Sequence, residues 1–265
     1  MLNIFKRLWQ VNWAEQWQYR ANLLMYLLYW LVSPIIYLAV WTSIANVKGS
    51  VNGFTAGDFV NYYLVLLIAD QVTSNIVIHN FAYKIQDGTL SGELVRPIHP
   101  ILTNNLVNNL AFKALILIGF TPVWLVLTLI FKPDFSSVTW QGVLLAIPAM
   151  LLGFIVGFLL SAAITSVAFW TTRVYSIHEF YYAVILLFSG QFVPLTLMPK
   201  LVQDIAQYLP FQLFMYYPVQ LILGKLSTAQ IVQGYVVGLV WLGISILFFR
   251  LVWRNGVKQY SAVGA

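Results

Sequence analysis

The chain is predicted to be an all-α polytopic membrane protein of one domain, residues 1–265. It should comprise an N-terminal interfacial amphipathic helix, six transmembrane helices, a cytoplasmic helical loop between spans 2 and 3, and re-entrant outer helices between spans 5 and 6. Three observations predict this. Hydrophobic residues make up 60% of the chain and charged residues 8%, too little polar surface to cover a soluble globule. Six apolar segments approach or exceed the ~20 residues that cross the hydrocarbon at helical rise. None shows the period-two alternation of a barrel strand, and open strand edges cannot be satisfied in lipid, so the spans are helical. The ten Trp and fifteen Tyr fit rings gathered at the membrane interface.

In chain order, residues 1–20 come first. Ile4, Phe5, Leu8, Trp9, Val11 and Trp13 fall on one arc of a helix and Lys6, Arg7 and Gln10 fall opposite, the pattern of a helix lying on the cytoplasmic leaflet. Polar residues such as Asn12, Glu15 and Gln16 interrupt this stretch, so it is not expected to be a cleaved signal. The predicted spans are 23–46, 59–81, 106–131, 140–170, 177–193 and 231–252. The fourth is long enough to tilt; the fifth is short. Between the fifth and sixth, residues 194–224 stay apolar but are cut by Pro194, Pro199, Pro210 and Pro218. Proline ends or kinks helices, so short re-entrant or interfacial pieces are expected there.

Orientation follows from the fourteen basic residues. Lys6, Arg7, Arg20, Lys84, Arg96, Lys113, Arg173, Arg250, Arg254 and Lys258 fall on one side or at helix ends facing it, against Lys48, Lys132, Lys200 and Lys225 on the other. The positive-inside rule then puts both termini and the loop 84–100 in the cytoplasm. Counting 210–224 as a seventh span would carry Arg250, Arg254 and Lys258 outside, and Pro218 interrupts it.

Catalytic constellations are missing. The phosphate loop Gly-x-x-x-x-Gly-Lys-[Ser/Thr] does not occur, since Gly224-Lys225 is followed by Leu226, so the chain is not expected to bind ATP by that motif. His79, His99 and His178 lack metal-ligand spacing, there are no cysteines, and neither a metal site nor a nucleic-acid partner is expected.

Within the second span stands Asp70, and a carboxylate at that depth is costly and faces protein or water. Two readings compete. In the first it acts as structural glue, hydrogen-bonding Thr73, Ser74 or another helix. Alternatively it lines a transport path and favours cations, with the rings of Tyr62 and Tyr63 contributing cation–π attraction. Glu179, beside Arg173 and His178, reads as a local ion pair or interfacial contact. Gly153, Gly157 and Ser161, and Gly234 with Gly238, repeat small residues every four positions. These are packing seams within one subunit or between two.

The polar stretch 84–100 reads Lys-Ile-Gln-Asp-Gly-Thr-Leu-Ser-Gly-Glu-Leu-Val-Arg-Pro-Ile-His-Pro. Gly88-x-Leu90 leading to Leu94-x-Arg96-Pro97, then Phe192-x-Pro194, Met198-Pro199, Leu209-Pro210-Phe211, Tyr217-Pro218 and Gly224, in this order relative to the spans, resemble a type 2 ABC exporter permease over nearly the whole chain. The chain is most similar to the small bacterial permeases associated with drug and viologen export. That resemblance implies a dimer, with a second permease copy or a related permease, and a separate ATP-binding subunit that holds ATP and Mg. It implies a multi-pass protein of the bacterial inner membrane. It also implies that the loop is a coupling helix seated in the ATPase, with Gln86, Asp87, Thr89, Glu93 and Arg96 as contacts and Gly88, Gly92, Pro97 and Pro100 shaping it; read without the resemblance, it is an ordinary polar turn. The implied activity is ATP-driven export of amphipathic or lipophilic small molecules, cations among them, by alternating access. Export of a lipid-linked or polysaccharide substrate and proton-coupled secondary transport are the alternatives.

Overall fold

A computed structural model describes residues 2–75 and 77–260 of the chain. Residues 1, 76 and 261–265, to which the single-domain expectation also extends, and the side chain of His79 lie outside the described residues. Eleven α-helices are found among the described residues: α1 Leu2–Gln18, α2 Arg20–Lys48, α3 Ala56–Thr73, α4 Ile78–Gln86, α5 Ser91–Leu94, α6 Val107–Phe131, α7 Trp140–Ser166, α8 Val174–Phe188, α9 Lys200–Ala206, α10 Tyr216–Ile222 and α11 Thr228–Gln259. A π-helical turn, Ile101–Leu106, leads into α6, and short 3₁₀ turns flank α7, α9 and α10.

Among the described residues, four helices are long and apolar enough to cross a membrane: Arg20–Lys48, Val107–Phe131, Trp140–Phe169 and Thr228–Gln259. They coincide with the first, third, fourth and sixth predicted spans, because long apolar runs leave the backbone no partner but itself. The other two segments depart from the prediction. The segment 59–81 is not one helix: α3 ends at Thr73, Ser74 turns extended (φ −57°, ψ 155°), and α4 starts at Ile78. Asp70, Gln71, Thr73, Ser74 and Asn75 crowd this point, and short polar side chains compete with the helical backbone for its hydrogen bonds. In the fifth segment, α8 stops at Phe188 after 15 residues, about 22 Å and short of the ~30 Å hydrocarbon core.

The break after α3 separates two cores. One gathers Phe59, Leu64, Leu66 and Leu67 of α3 with α7 and the stretch Leu213–Leu223. The other gathers Phe81, Ile85 and Leu90 with Ile101, Phe154, Phe158 and Val174, covered by Phe169, Phe249, Trp253 and Tyr260. Thus α4 and the loop beyond it pack with the ends of α7 and α11, while α3 packs with the proline-rich segment.

In that segment every proline stands at or before a helix start. Pro194 and Pro199 cap the turn Leu195–Leu197 and α9, Pro210 opens the turn Pro210–Phe214, and Pro218 sits in the first turn of α10. Those are positions where a backbone N–H has no intrahelical partner to lose. The segment lies along α7. A Cβ added at Gly153 would meet the Leu213 carbonyl oxygen at 2.4 Å, and one at Gly142 would meet the Leu221 carbonyl oxygen at 2.4 Å. Eleven residues of α7 separate these contacts, about 16 Å of helix. On α11, Gly234 receives the Tyr217 ring and Gly238 receives Leu152 and Leu213. Both small-residue seams are therefore filled from within the same subunit, which resolves the choice that their spacing left open.

The first helix lays Leu8, Trp9, Asn12, Trp13 and Gln16 inward and packs against α6. Asn12 Oδ1 accepts from the Asn108 amide at 2.9 Å. Ile4, Phe5, Val11 and Trp17 remain exposed.

Candidate functional site

Where the two cores part, a cavity of about 270 Å³ opens between α2, α3, α7 and α8, floored by Phe214 and Met215. Asp70 lines it and is 7% exposed. The groups expected to tie Asp70 down are engaged elsewhere. The Thr73 hydroxyl lies 2.5 Å from the Phe214 carbonyl and 2.9 Å from that of Ala69, and Ser74 Oγ accepts from Lys113 Nζ at 3.3 Å. Among the described residues the Asp70 carboxylate accepts no hydrogen bond, and Lys113 is the cation whose field acts on it.

Lys113 is the residue that sequence reasoning misplaced. It does not stand at the helix end facing the cytoplasm. It lies two turns inside α6, 8% exposed, donating to the Gln71 carbonyl at 2.9 Å and standing 5.3 Å over the Phe154 ring. A cation at a helix C-terminus complements the unsatisfied carbonyls there. It leaves the topology tally, whose sign is unchanged. A lysine as the one charged residue of a 25-residue hydrophobic helix was the signal for it.

The rings around the cavity are not those expected. Tyr62 and Tyr63 are fully buried and face away from it. Tyr62 donates to the Gly190 carbonyl at 2.8 Å, Tyr63 to the Phe192 carbonyl at 2.7 Å, and Trp41 Nε1 to that same carbonyl at 3.0 Å. They pin the chain that follows α8. The cavity instead takes Tyr26, Tyr29 and Trp30 from α2 and Tyr181 and Tyr182 from α8, with His178 and Glu179 beside them. The i, i+3, i+4 spacing of the α2 trio places it on one face, a signal present in the sequence and not used. Gln191 also lines the cavity, 5% exposed, its Oε1 without a hydrogen-bond partner.

The loop 84–100 divides its expected contacts between two faces. Glu93 is buried and ion-paired with Lys84 at 2.6 Å; it turns into the protein. Gly88, at φ +84°, makes the reversal after α4 that only glycine adopts freely. Asp87 Oδ1 accepts from the Thr89 N–H at 3.0 Å and its hydroxyl at 2.7 Å, and these donors hold its carboxyl below the usual range. Gln86 lies 3.5 Å from the Thr172 carbonyl. Asp87, Thr89, Gly92, Arg96 and Pro97 are exposed. Beside them Val95, absent from the expected set, is 85% exposed. Beneath this face, Tyr260 Oη accepts from the Ser91 N–H at 3.2 Å. His99 packs against Trp253 with ring centres 4.6 Å apart, and burial lowers its pKa. Among the described residues no cluster of three His, Asp or Glu side chains could hold a metal ion.

Four helices of membrane-spanning length among the described residues, with further apolar helices, fit a multi-pass membrane protein. A family model described as an ABC-2 family transporter protein matches residues 20–264. The chain belongs to that family: it is a type 2 ABC permease, a multi-pass membrane protein of a kind that works with an ATP-binding subunit. Comparison with curated proteins finds no match.

Proposed function

We propose that the chain is the permease subunit of an exporter that expels amphipathic or lipophilic cations, working as a dimer with a second permease copy. ATP and Mg are held by the partner ATPase. Six crossings are made, the second by α3 continued through α4 and the fifth by α8 with residues 189–193, which leaves both termini and the loop 84–100 cytoplasmic in a bacterial inner membrane. The loop is the coupling element, and its exposed residues Asp87, Thr89, Gly92, Val95, Arg96 and Pro97 meet the ATPase.

The observation that carries this reading is the buried Asp70 carboxylate, free of hydrogen bonds among the described residues, on an aromatic-walled cavity at the break between α3 and α4. A charge in such a site is costly unless matched, and a cation over tyrosine and tryptophan faces matches it. The α4 helix joins that break to the loop, so movement of the loop reaches the cavity through one short rigid element. A cavity of about 270 Å³ suits a small molecule better than a lipid-linked or polysaccharide substrate, and ABC-2 membership favours ATP over a proton gradient as the energy source. The motif resemblance to drug and viologen exporters, taken as a kinship, would fit a cationic cargo. The test is ATPase stimulation of the reconstituted permease–ATPase complex by lipophilic cations, neutral drugs and glycolipids. Stimulation by cations supports the reading, and stimulation by glycolipids alone rejects it.

A further inference from the structure

The last turns of α11 present two unlike faces. One is fixed inward. The Trp253 ring stacks on Phe81 with centres 5.5 Å apart and meets His99 at 4.6 Å, and Tyr260 Oη accepts from the Ser91 N–H at 3.2 Å. Gly256, buried between them in sequence, leaves no room for a Cβ against the Phe169 ring. These contacts set the rotation of the helix, so the opposite side points away from the protein. There Arg250, Arg254 and Lys258 stand exposed, four residues apart and therefore in one row. Among the described residues none of the three makes an ion pair or hydrogen bond, and α11 carries no acidic residue.

The row prolongs an apolar arc. Val236, Val240 and Leu247 fall on the same side of the helix and are each more than half exposed. Arg250 stands about 33 Å along the axis from Thr228, so the cations begin where a hydrocarbon core of ~30 Å ends. A phospholipid has this same sequence of chemistry, tails and then phosphate. Guanidinium groups take phosphate oxygens in a planar fork, and the stems of Arg and Lys lie along apolar chains while their heads reach the polar layer. We infer that this face of α11 is a binding surface for anionic phospholipids, with acyl chains along the Val236–Leu247 arc and phosphate headgroups on Arg250, Arg254 and Lys258. A second copy meeting this face about a twofold axis would bring two cationic rows together, which like charge opposes. Lys6 and Arg7, adjacent in sequence and so about 100° apart on α1, form no such row.

The test places a fluorophore on Leu251→Cys, an exposed position between the two arginines in a chain without cysteines. The full chain is set in nanodiscs of mixed phosphatidylglycerol and phosphatidylcholine, with one or the other brominated in its acyl chains as quencher. Brominated phosphatidylglycerol should occupy the site with about tenfold preference, and raised salt should weaken that preference. Arg250→Gln, Arg254→Gln and Lys258→Gln together should remove it. Arg250→Lys with Arg254→Lys should keep it, which leaves the test decisive if the triple variant fails to insert. A fluorophore on Leu144→Cys, exposed on α7, a helix with no basic residue, should be quenched equally by both lipids. Equal quenching at position 251, a preference that survives the triple variant, or the same preference at position 144 overturns the inference. So does quenching by neither lipid, or loss of the preference when the ATPase subunit is added, since either would assign the face to a protein.

Discussion

The ammonium of Lys113 on α6 donates to the backbone carbonyl of Gln71 on α3 across 2.9 Å, at the point where α3 gives way to α4. It closes the broken helix end, it holds Ser74, and it is the positive charge acting on Asp70.

Lys113→Met should therefore leave a buried carbonyl and hydroxyl without their donor. The expected loss is ~1–3 kcal/mol, since hydrogen bonds to charged groups lie near the upper part of that range in water and are worth less in membranes. Unfolding of the purified permease would measure it. In an Asp70→Asn background the same substitution should cost less, because the uncompensated carboxylate is gone. An equal cost in both backgrounds would mean that the two residues are not coupled.

Lys84 and Glu93 form one internal unit at 2.6 Å, with the Glu93 side chain 10% exposed. Glu93→Ala and Lys84→Ala should each disturb the loop, and the double variant should be no worse than the poorer single. The cost of either is ~1–2 kcal/mol, reduced from that of a fully buried pair because Lys84 reaches solvent. Val95→Asp and Arg96→Ala should leave the permease as stable as the parent and weaken capture of the ATPase in pull-down. Unchanged capture by both would remove the exposed face of the loop as the ATPase contact.

How far the sequence revealed this architecture varies by element. α2, α6, α7 and α11 were legible because uninterrupted apolar runs have a single backbone solution in lipid. The break after Thr73 was not, because a hydropathy window averages Asp70, Gln71, Ser74 and Asn75 into flanking apolar residues. Asp70 itself stood out as a charge in an apolar run. Its neighbours did not, because which tyrosines face the cavity depends on helix rotation: Tyr62 and Tyr63 turn to backbone carbonyls, while Trp30 and the largely exposed Tyr29, on a different helix, line the cavity. The separation of Glu93 from Arg96 depends on the four-residue α5, too short for any periodicity to be read.

That rotation makes a contrasting pair of variants informative. Tyr62→Phe removes the donor to a buried carbonyl and should lower stability by ~1 kcal/mol, with substrate response intact. Trp30→Leu should do the opposite, preserving the melting temperature within a few degrees while weakening stimulation by cations about fivefold, through loss of a cation–π face. Both can be followed by thermal melting and ATPase titration of the same preparations.

The proposed topology is testable because the chain has no cysteine of its own. Lys200→Cys and Lys225→Cys, both at exposed positions, should react with an impermeant thiol reagent added outside intact cells. Labelling of position 225 only after the cytoplasm is opened would refute the six-crossing arrangement.

The most direct measurement is substrate-stimulated ATPase activity of the reconstituted complex carrying Asp70→Asn, with cationic and neutral amphipaths compared side by side. Asparagine keeps the shape and removes the charge, and in a poorly hydrated site one charge acts strongly on another. Stimulation by cations should fall by about tenfold or more while stimulation by neutral compounds and assembly with the ATPase persist. Equal loss for both classes, or failure of the variant to assemble, would contradict the account and return Asp70 to a structural role.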